Sequence, residues 1–147
     1  MRETKHRYRI SGHSRYTIYY HFAFCPKYRR EIFEEIDIDR AVKEAILNMA
    51  PYHDWIVEQM ETDKDHIHVF ISAPPRYSPA EIAKLIKTWT YSHVYQQFPQ
   101  IKKYLWGGKM WSQGYYVSTV SDRTTKDEIK KYIQYQKEHE KQLRLGL

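Results

Sequence analysis

The chain has 147 residues, enough for one domain with a sizeable core, and 24 Lys and Arg against 18 Asp and Glu give it a formal charge of +6. Its single cysteine excludes an internal disulfide and a cysteine-rich zinc site. There is no apolar run of about 18 residues, and no apolar signal-peptide core near the start, so we expect a cytoplasmic protein with no membrane segment. The basic charge and the 14 tyrosines favour a nucleic-acid partner, which needs both phosphate contacts and stacking surfaces.

The first third of the chain predicts an arm, a strand and a helix. Residues 1–14 are polar and basic without periodicity, so we expect a flexible arm ahead of a single domain over residues 15–147. The aromatic and β-branched run YTIYYHFAF predicts a strand that ends at Pro26. Apolar residues recur every three or four positions from Asp37 to Met49, which predicts an amphipathic helix.

The remaining elements alternate in the same way. YHDWIVEQMET and HIHVFIS predict two strands joined by the turn DKD, and YYVSTV predicts another strand. Ser78, Pro79 and Glu81 are typical of a capped helix start, and the expected inner stripe of that helix is Ile82, Leu85, Ile86, Trp89 and Val94. TTKDEIKKYIQYQKEHEKQLR predicts a last helix. This order favours an α+β fold, an antiparallel sheet with helices mainly on one face.

The two histidines at the start of HIHVFIS are the first candidate site. Side chains two apart in a strand share a face, so His66 and His68 stand together while Ile67 points away. Such a pair meets solvent, fills a polar gap in the core, or shares a ligand. A histidine-triad hydrolase would need a third histidine at position 70, where this chain has Phe70, and a His-Glu-x-x-His zinc motif is absent.

The predicted last helix adds two candidate groups. Tyr132 and Gln136 lie four apart and hence on one helical face. With the two histidines they would form a set of neutral metal ligands and a phenol, suited to cutting a phosphodiester, because neutral ligands leave a divalent ion its full charge. The same spacing also arises by chance on a helix rich in Tyr and Gln, so a Tyr132 that simply covers the sheet is the alternative interpretation.

The sequence resembles the single-tyrosine transposases of the IS200/IS605 insertion-sequence type, members of the HUH endonuclease superfamily. The resemblance runs from about Tyr19 to Gln136 and rests on four stretches in the same order. These stretches are YYHFAFCPKYRREIF, DHIHVFISAPPRYSPAEIAKLIK, LWGGKMWSQGYYVSTVS and IKKYIQYQ.

The resemblance implies a fold, a site and partners. It implies an RRM-like or ferredoxin-like sheet and a C-terminal helix that carries the nucleophile Tyr132. His66, His68 and Gln136 match the ligands of the family's Mg²⁺ or Mn²⁺. Family members act as homodimers on single-stranded DNA with a hairpin at the element ends, through a 5′-phosphotyrosine intermediate.

Basic residues supply candidate DNA contacts. After the first long strand, Lys27, Arg29 and Arg30 are candidates for phosphate contacts and Tyr28 for base stacking. Lys84 and Lys87 are further phosphate candidates on the second predicted helix. The alternative for each is an ordinary solvated surface charge.

Several rival functions share these features. A rolling-circle initiator or conjugative relaxase usually has a longer chain and often a third histidine in its metal set. A domesticated relative that processes dispersed palindromic repeats would look nearly the same in sequence. A non-catalytic RRM-like nucleic-acid-binding module would explain charge and aromatics but would leave the His-His-Gln-Tyr set to coincidence.

Overall fold

A four-stranded antiparallel sheet with two helices is the main feature of the computed structural model. The structure describes residues 8–27, 31–104, 109–120 and 131. The strands are β1 (Arg9–Ser11), β2 (Ser14–Tyr16), β3 (Tyr19–Phe24), β4 (Ile56–Asp63), β5 (His66–Ser72) and β6 (Tyr116–Thr119), and the helices are α1 (Ile36–Met49) and α2 (Pro79–Gln97).

The strand order of the main sheet is β4–β5–β3–β6, with every neighbouring pair antiparallel. Along the chain α1 lies between β3 and β4, and α2 lies between β5 and β6. This is the β-α-β-β-α-β arrangement of ferredoxin-like folds, with the first and third of its four strands adjacent at the centre. The predicted antiparallel α+β fold is confirmed. The predicted nucleophile-bearing helix lies outside the described residues except for Lys131, which is helical.

The two faces of β5 have different roles. Ile67, Val69 and Ile71 are fully buried in the main core, together with Phe22 and Phe24 of β3. Both helices pack on this face through buried residues of α1 and α2, which are Ala41, Val42, Ile46, Met49, Ile82, Ala83 and Ile86. The other face of β5 carries His66, His68, Phe70 and Ser72, and these are buried too. β5 is therefore buried on both faces, which fixes its register strongly.

The start of α2 is closed by the predicted capping box. Ser78 Oγ accepts a hydrogen bond from the Glu81 backbone N–H at 3.1 Å, and Glu81 Oε1 accepts one from the Ser78 N–H at 2.9 Å. Pro79 occupies the first helical position. Among the helices that the structure describes, none is both long and apolar enough to cross a membrane.

One member of the predicted inner stripe of α2 is misplaced. Trp89 is 40% exposed and lies beside Tyr52, with ring centroids 6.1 Å apart. Four of the five buried positions of α2, residues 82, 86, 90 and 94, follow a row of every fourth residue, and the fifth is Ala83. Four residues span slightly more than one 3.6-residue turn, so each buried position is rotated a little around the helix from the one before it. Position 89 lies at the edge of this rotating row, which leaves Trp89 partly exposed.

The prediction that residues 1–14 form an arm without regular structure is wrong for residues 9–14. β1 and β2 form a hairpin, with Arg9 opposite Tyr16 and Ser11 opposite Ser14. Gly12 begins the two-residue turn with a φ of +57°, a conformation that glycine adopts at no steric cost. The Arg9 guanidinium donates to the Ser72 carbonyl and hydroxyl oxygens, so the hairpin is held by a contact to β5 that local periodicity does not reveal. Residues 1–7 lie outside the described residues.

The predicted strand YHDWIVEQMET begins later than expected. Ala50–His53 is a short 3-10 helix, and Asp54 has a φ of +57°, so the chain turns before β4 starts at Ile56. Asp54 also forms an ion pair with Arg76 at 2.6 Å. Pro51 and this turn break the alternation that the sequence pattern had extended back to Tyr52.

We expect Thr90→Val to destabilise the fold by about 1–3 kcal/mol, because it leaves a buried indole N–H without its acceptor. Thr90 Oγ1 accepts from Trp111 Nε1 at 2.9 Å and donates to the Ile86 carbonyl at 2.6 Å, and valine keeps only the shape. Urea unfolding gives the free energy. The control is Thr88→Val, at an exposed position of the same helix, with an expected change within about 0.5 kcal/mol. Equal loss in both variants would contradict this role.

Candidate metal centre and nucleic-acid interface

The two histidines of β5 lie side by side inside the sheet. His66 is 2% exposed and His68 is fully buried, and their ring centroids are 4.8 Å apart at an interplanar angle of 81°. β5 pairs with β3 on one side and β4 on the other, and His68 has a partner in each, Ala23 and Glu61. His66, at the end of the strand, lies opposite Asp63 of β4. The shared face predicted from their spacing is the one observed.

Asp65 orients the first histidine. Its Oδ1 lies 2.9 Å from His66 Nδ1, and the carboxylate is buried beside the ring. An ionised carboxylate only accepts hydrogen bonds, so His66 carries a proton on Nδ1 and points Nε2 away from Asp65. Metal-binding histidines typically donate their second ring N–H to a carboxylate or carbonyl in this way. Asp65 is thus a hydrogen-bond partner of the His66 imidazole.

His21 of β3 contacts the second histidine. Its Nε2 lies 2.9 Å from His68 Nδ1, and the two rings stack with centroids 5.1 Å apart. Burial lowers the pKa of His21 to about 4, so its ring is neutral near pH 7. Sequence reasoning gave His21 no role. The available signal was a histidine inside an apolar strand, but its partner depends on strand register.

The donor set fits a divalent cation. Each histidine commits Nδ1 to a protein group, so Nε2 is the nitrogen that each would offer to a metal. Asp63 Oδ2 lies 4.0 Å from His66 Nε2 and adds negative charge beside the pair. Within the described ranges, no cluster of three or more His, Cys, Asp or Glu side chains could hold a metal ion. The predicted third ligand Gln136 and the predicted nucleophile Tyr132 lie outside those ranges.

The predicted basic contacts lie in different surroundings. Lys27 is half-buried and follows β3 at the end where Phe24 pairs with Ile67, which is also the His66 end of β5. Its backbone N–H donates to the Met110 carbonyl at 2.8 Å. Tyr28, Arg29 and Arg30 lie outside the described residues. Lys84 is exposed on α2 and, with Lys87, lines an open cavity of about 330 Å³.

Lys87 is engaged in holding a loop. Its ammonium donates to the carbonyl oxygens of Ser112, Gln113 and Gly114 at 2.8, 3.1 and 3.0 Å. Burial lowers the pKa of Lys87, and its Nζ also lies 5.7 Å from the Tyr115 ring centroid. An ammonium has three protons, so these carbonyls compete with any phosphate. The DNA contact predicted for Lys87 stays a prediction, and the loop contact is its observed role.

Comparison with known proteins decides the family. Residues 14–136 match the family model described as "Transposase IS200 like". The chain belongs to the IS200-like transposases. It is 31% identical over 125 residues to the ISDra2 transposase TnpA of Deinococcus radiodurans, covering 85% of this chain and 88% of that protein. It is 33% identical over 130 residues to the transposase for insertion sequence element IS200 of Salmonella typhimurium, covering 88% and 84%.

Structural comparison agrees with the family assignment. A crystal structure assigned to a transposase from Deinococcus radiodurans R1 superimposes with a TM-score of 0.68 at 26% identity, covering 87% of this chain and 96% of that one. The resemblance inferred from the sequence motifs is confirmed, and this IS200-like transposase is an enzyme, a DNA transposase of the HUH single-tyrosine type.

We expect Lys87→Met to lower the free energy of unfolding by about 2 kcal/mol, because hydrogen bonds from a charged donor contribute roughly 1.5–3 kcal/mol. Methionine keeps the apolar stem and removes the three contacts to residues 112–114. Urea unfolding measures the loss, and hydrogen exchange should show faster exchange in β6. Lys84→Met is the matched control, since that side chain is exposed on the same helix. Equal stability of the two variants would rule out the loop contact as a stabilising one.

Proposed function

We propose that this transposase cuts and rejoins single-stranded DNA with Tyr132 as nucleophile and a divalent cation held by His66, His68 and Gln136. The observation that supports the proposal best is the buried histidine pair. Both rings have Nδ1 engaged by a protein partner, which is the arrangement of metal-binding histidines. The roles of Tyr132 and Gln136 rest on the family motif that they match.

The proposed ligands suit Mg²⁺ or Mn²⁺ in a phosphodiester reaction. His66 and His68 would bind through Nε2, and Gln136 through its amide oxygen. Imidazole ligands favour Mn²⁺ in affinity, while Mg²⁺ is the more available ion in cells. The bound cation would supply a Lewis acid at a phosphate oxygen. Because all three ligands are neutral, they add no negative charge that would repel the phosphate.

The covalent step exchanges one phosphate ester for another. The Tyr132 oxygen attacks phosphorus and loses its proton, while the bond from phosphorus to the 3′ oxygen breaks and that oxygen gains a proton. The products are a 5′-phosphotyrosine and a free 3′-OH. Attack by the 3′-OH of another DNA end reverses the exchange and restores the phenol. The number of ester bonds is unchanged, so joining needs no ATP, and catalysis comes from positioning and electrostatics.

The partner proposed for this chemistry is single-stranded DNA with a hairpin at the element ends. The net charge of +6, the exposed Lys84 and the position of Lys27 at the His66 end of the sheet support a phosphate-binding surface. By the resemblance, Tyr28, Arg29 and Arg30 extend this surface. We further propose that the protein acts as a homodimer, on the basis of the family resemblance. We also propose that it acts in the cytoplasm, because a single cysteine suits a reducing compartment. The repeat-processing alternative shares this chemistry and differs in its DNA sites.

We expect Tyr132→Phe to abolish the covalent protein–DNA adduct, because phenylalanine lacks the attacking oxygen. The full chain is incubated with labelled single-stranded DNA of its flanking ends and Mn²⁺, and a denaturing gel shows the adduct. Removing the cation with EDTA should also abolish it. Tyr135→Phe, on the same predicted helix, is the control and should retain the adduct.

Three outcomes would count against this mechanism. An adduct that survives in Tyr132→Phe rejects the nucleophile, and one that persists in EDTA rejects the metal. Tight DNA binding with no adduct in the unchanged protein would favour a non-catalytic binder over the proposed cleavage at these DNA ends.

We expect Lys84→Gln to weaken single-stranded DNA binding and to reduce the slope of log affinity against log salt by about 0.7, the value for one lost phosphate contact on a single strand. Fluorescence anisotropy from low to moderate salt measures the slope. Lys43→Gln is the control with the same charge change, because Lys43 is on α1 and pairs with Asp39 at 3.3 Å. An unchanged slope in Lys84→Gln would remove this residue from the interface.

A further inference from the structure

We propose that His21 is a positioning residue for the metal centre, which holds His68 in the orientation and tautomer that present Nε2 to the cation. This inference rests on the proposed function, since it needs His68 to be a ligand. It adds a residue of β3 that does not itself touch the cation or the DNA.

Strand register explains how His21 reaches His68. The residue of β3 directly opposite His68 is Ala23, and the one opposite His21 is Phe70. A methyl group opposite His68 leaves room above its ring, and His21, two residues away on the same face, fills that room diagonally. The resulting nitrogen–nitrogen distance is 2.9 Å, and the rings lie 22° from parallel.

The proton in this contact decides whether His68 can bind a metal through Nε2. One proton lies between His68 Nδ1 and His21 Nε2. If His68 donates it, the other nitrogen of His68 keeps a lone pair for the cation. If His21 donates it, a neutral His68 carries its own proton on Nε2 and that atom cannot bind. Metal binding therefore requires His21 as the acceptor.

The two ligands are oriented by different kinds of partner. Asp65 is a neighbour of His66 in the chain, and an ionised carboxylate only accepts. His21 comes from another strand, and its ring can accept or donate. Both His21 and His68 are fully buried, so water has little access to replace the contact when it is lost. The orientation of His68 is thus the one that depends on tertiary structure.

The test compares two substitutions of His21 in the full chain. His21→Phe keeps a flat ring for stacking and removes the acceptor, and His21→Gln offers an amide oxygen near the original Nε2. We expect Co²⁺ and Mn²⁺ affinity, measured by calorimetry and by the Co²⁺ absorption spectrum, to fall about 10- to 100-fold in His21→Phe. His21→Gln should recover most of that loss, which a purely structural role would not predict.

A measurement on the unchanged protein keeps the inference falsifiable if His21→Phe does not fold. In the Zn²⁺-loaded chain, ¹⁵N NMR should show a proton on His68 Nδ1 and a coupling across the hydrogen bond to His21 Nε2. A proton on His68 Nε2, or the absence of that coupling, would overturn the inference.

The outcomes separate this inference from the proposed function. If the parent binds Co²⁺ and His66→Ala does not, the metal centre stands. Undiminished affinity in a folded His21→Phe would then overturn the role of His21 alone. If the parent binds none of these ions, the metal centre fails, and the positioning role that depends on it fails too.

Discussion

The burial of β5 on both faces is the constraint on which the candidate site depends. One face supplies Ile67, Val69 and Ile71 to the core under the helices, and the other carries His66 and His68 away from water. Burying a polar ring is costly unless its nitrogens find partners, and Asp65 and His21 each provide one for the Nδ1 atom of a ring. A register slip of one residue would exchange the two faces and place imidazoles against the helices.

Positive charge has two different uses in this transposase. Lys87 directs its ammonium at three carbonyls and so holds the segment that precedes β6. Lys84, three residues earlier on α2, is exposed and carries the same formal charge into solvent. Formal charge alone therefore does not assign a lysine of this transposase to DNA, because carbonyl oxygens and phosphates compete for the same donors.

Two features set by neighbouring residues were predicted correctly from the sequence, and one set by contacts between distant segments was missed. HIHVFIS was predicted with the observed bounds, and the capping box of Ser78 and Glu81 was predicted correctly, because both signals are local. The strand predicted from Tyr52 was too long, because the chain forms a 3-10 helix at Ala50–His53 and turns at Asp54 before β4 begins. The hairpin at residues 9–16 was missed because Arg9 secures it to Ser72, far away in the chain.

The sequence by itself determined that His66 and His68 share one face of a strand, and its motifs determined the family. The two-residue period of a strand is a local property, so no partner is needed to read it. Only the tertiary structure decided that His21 meets His68 and that Lys87 meets the loop before β6. Both contacts join segments separated by more than 20 residues, and backbone pairing and packing set which atoms come within hydrogen-bond distance.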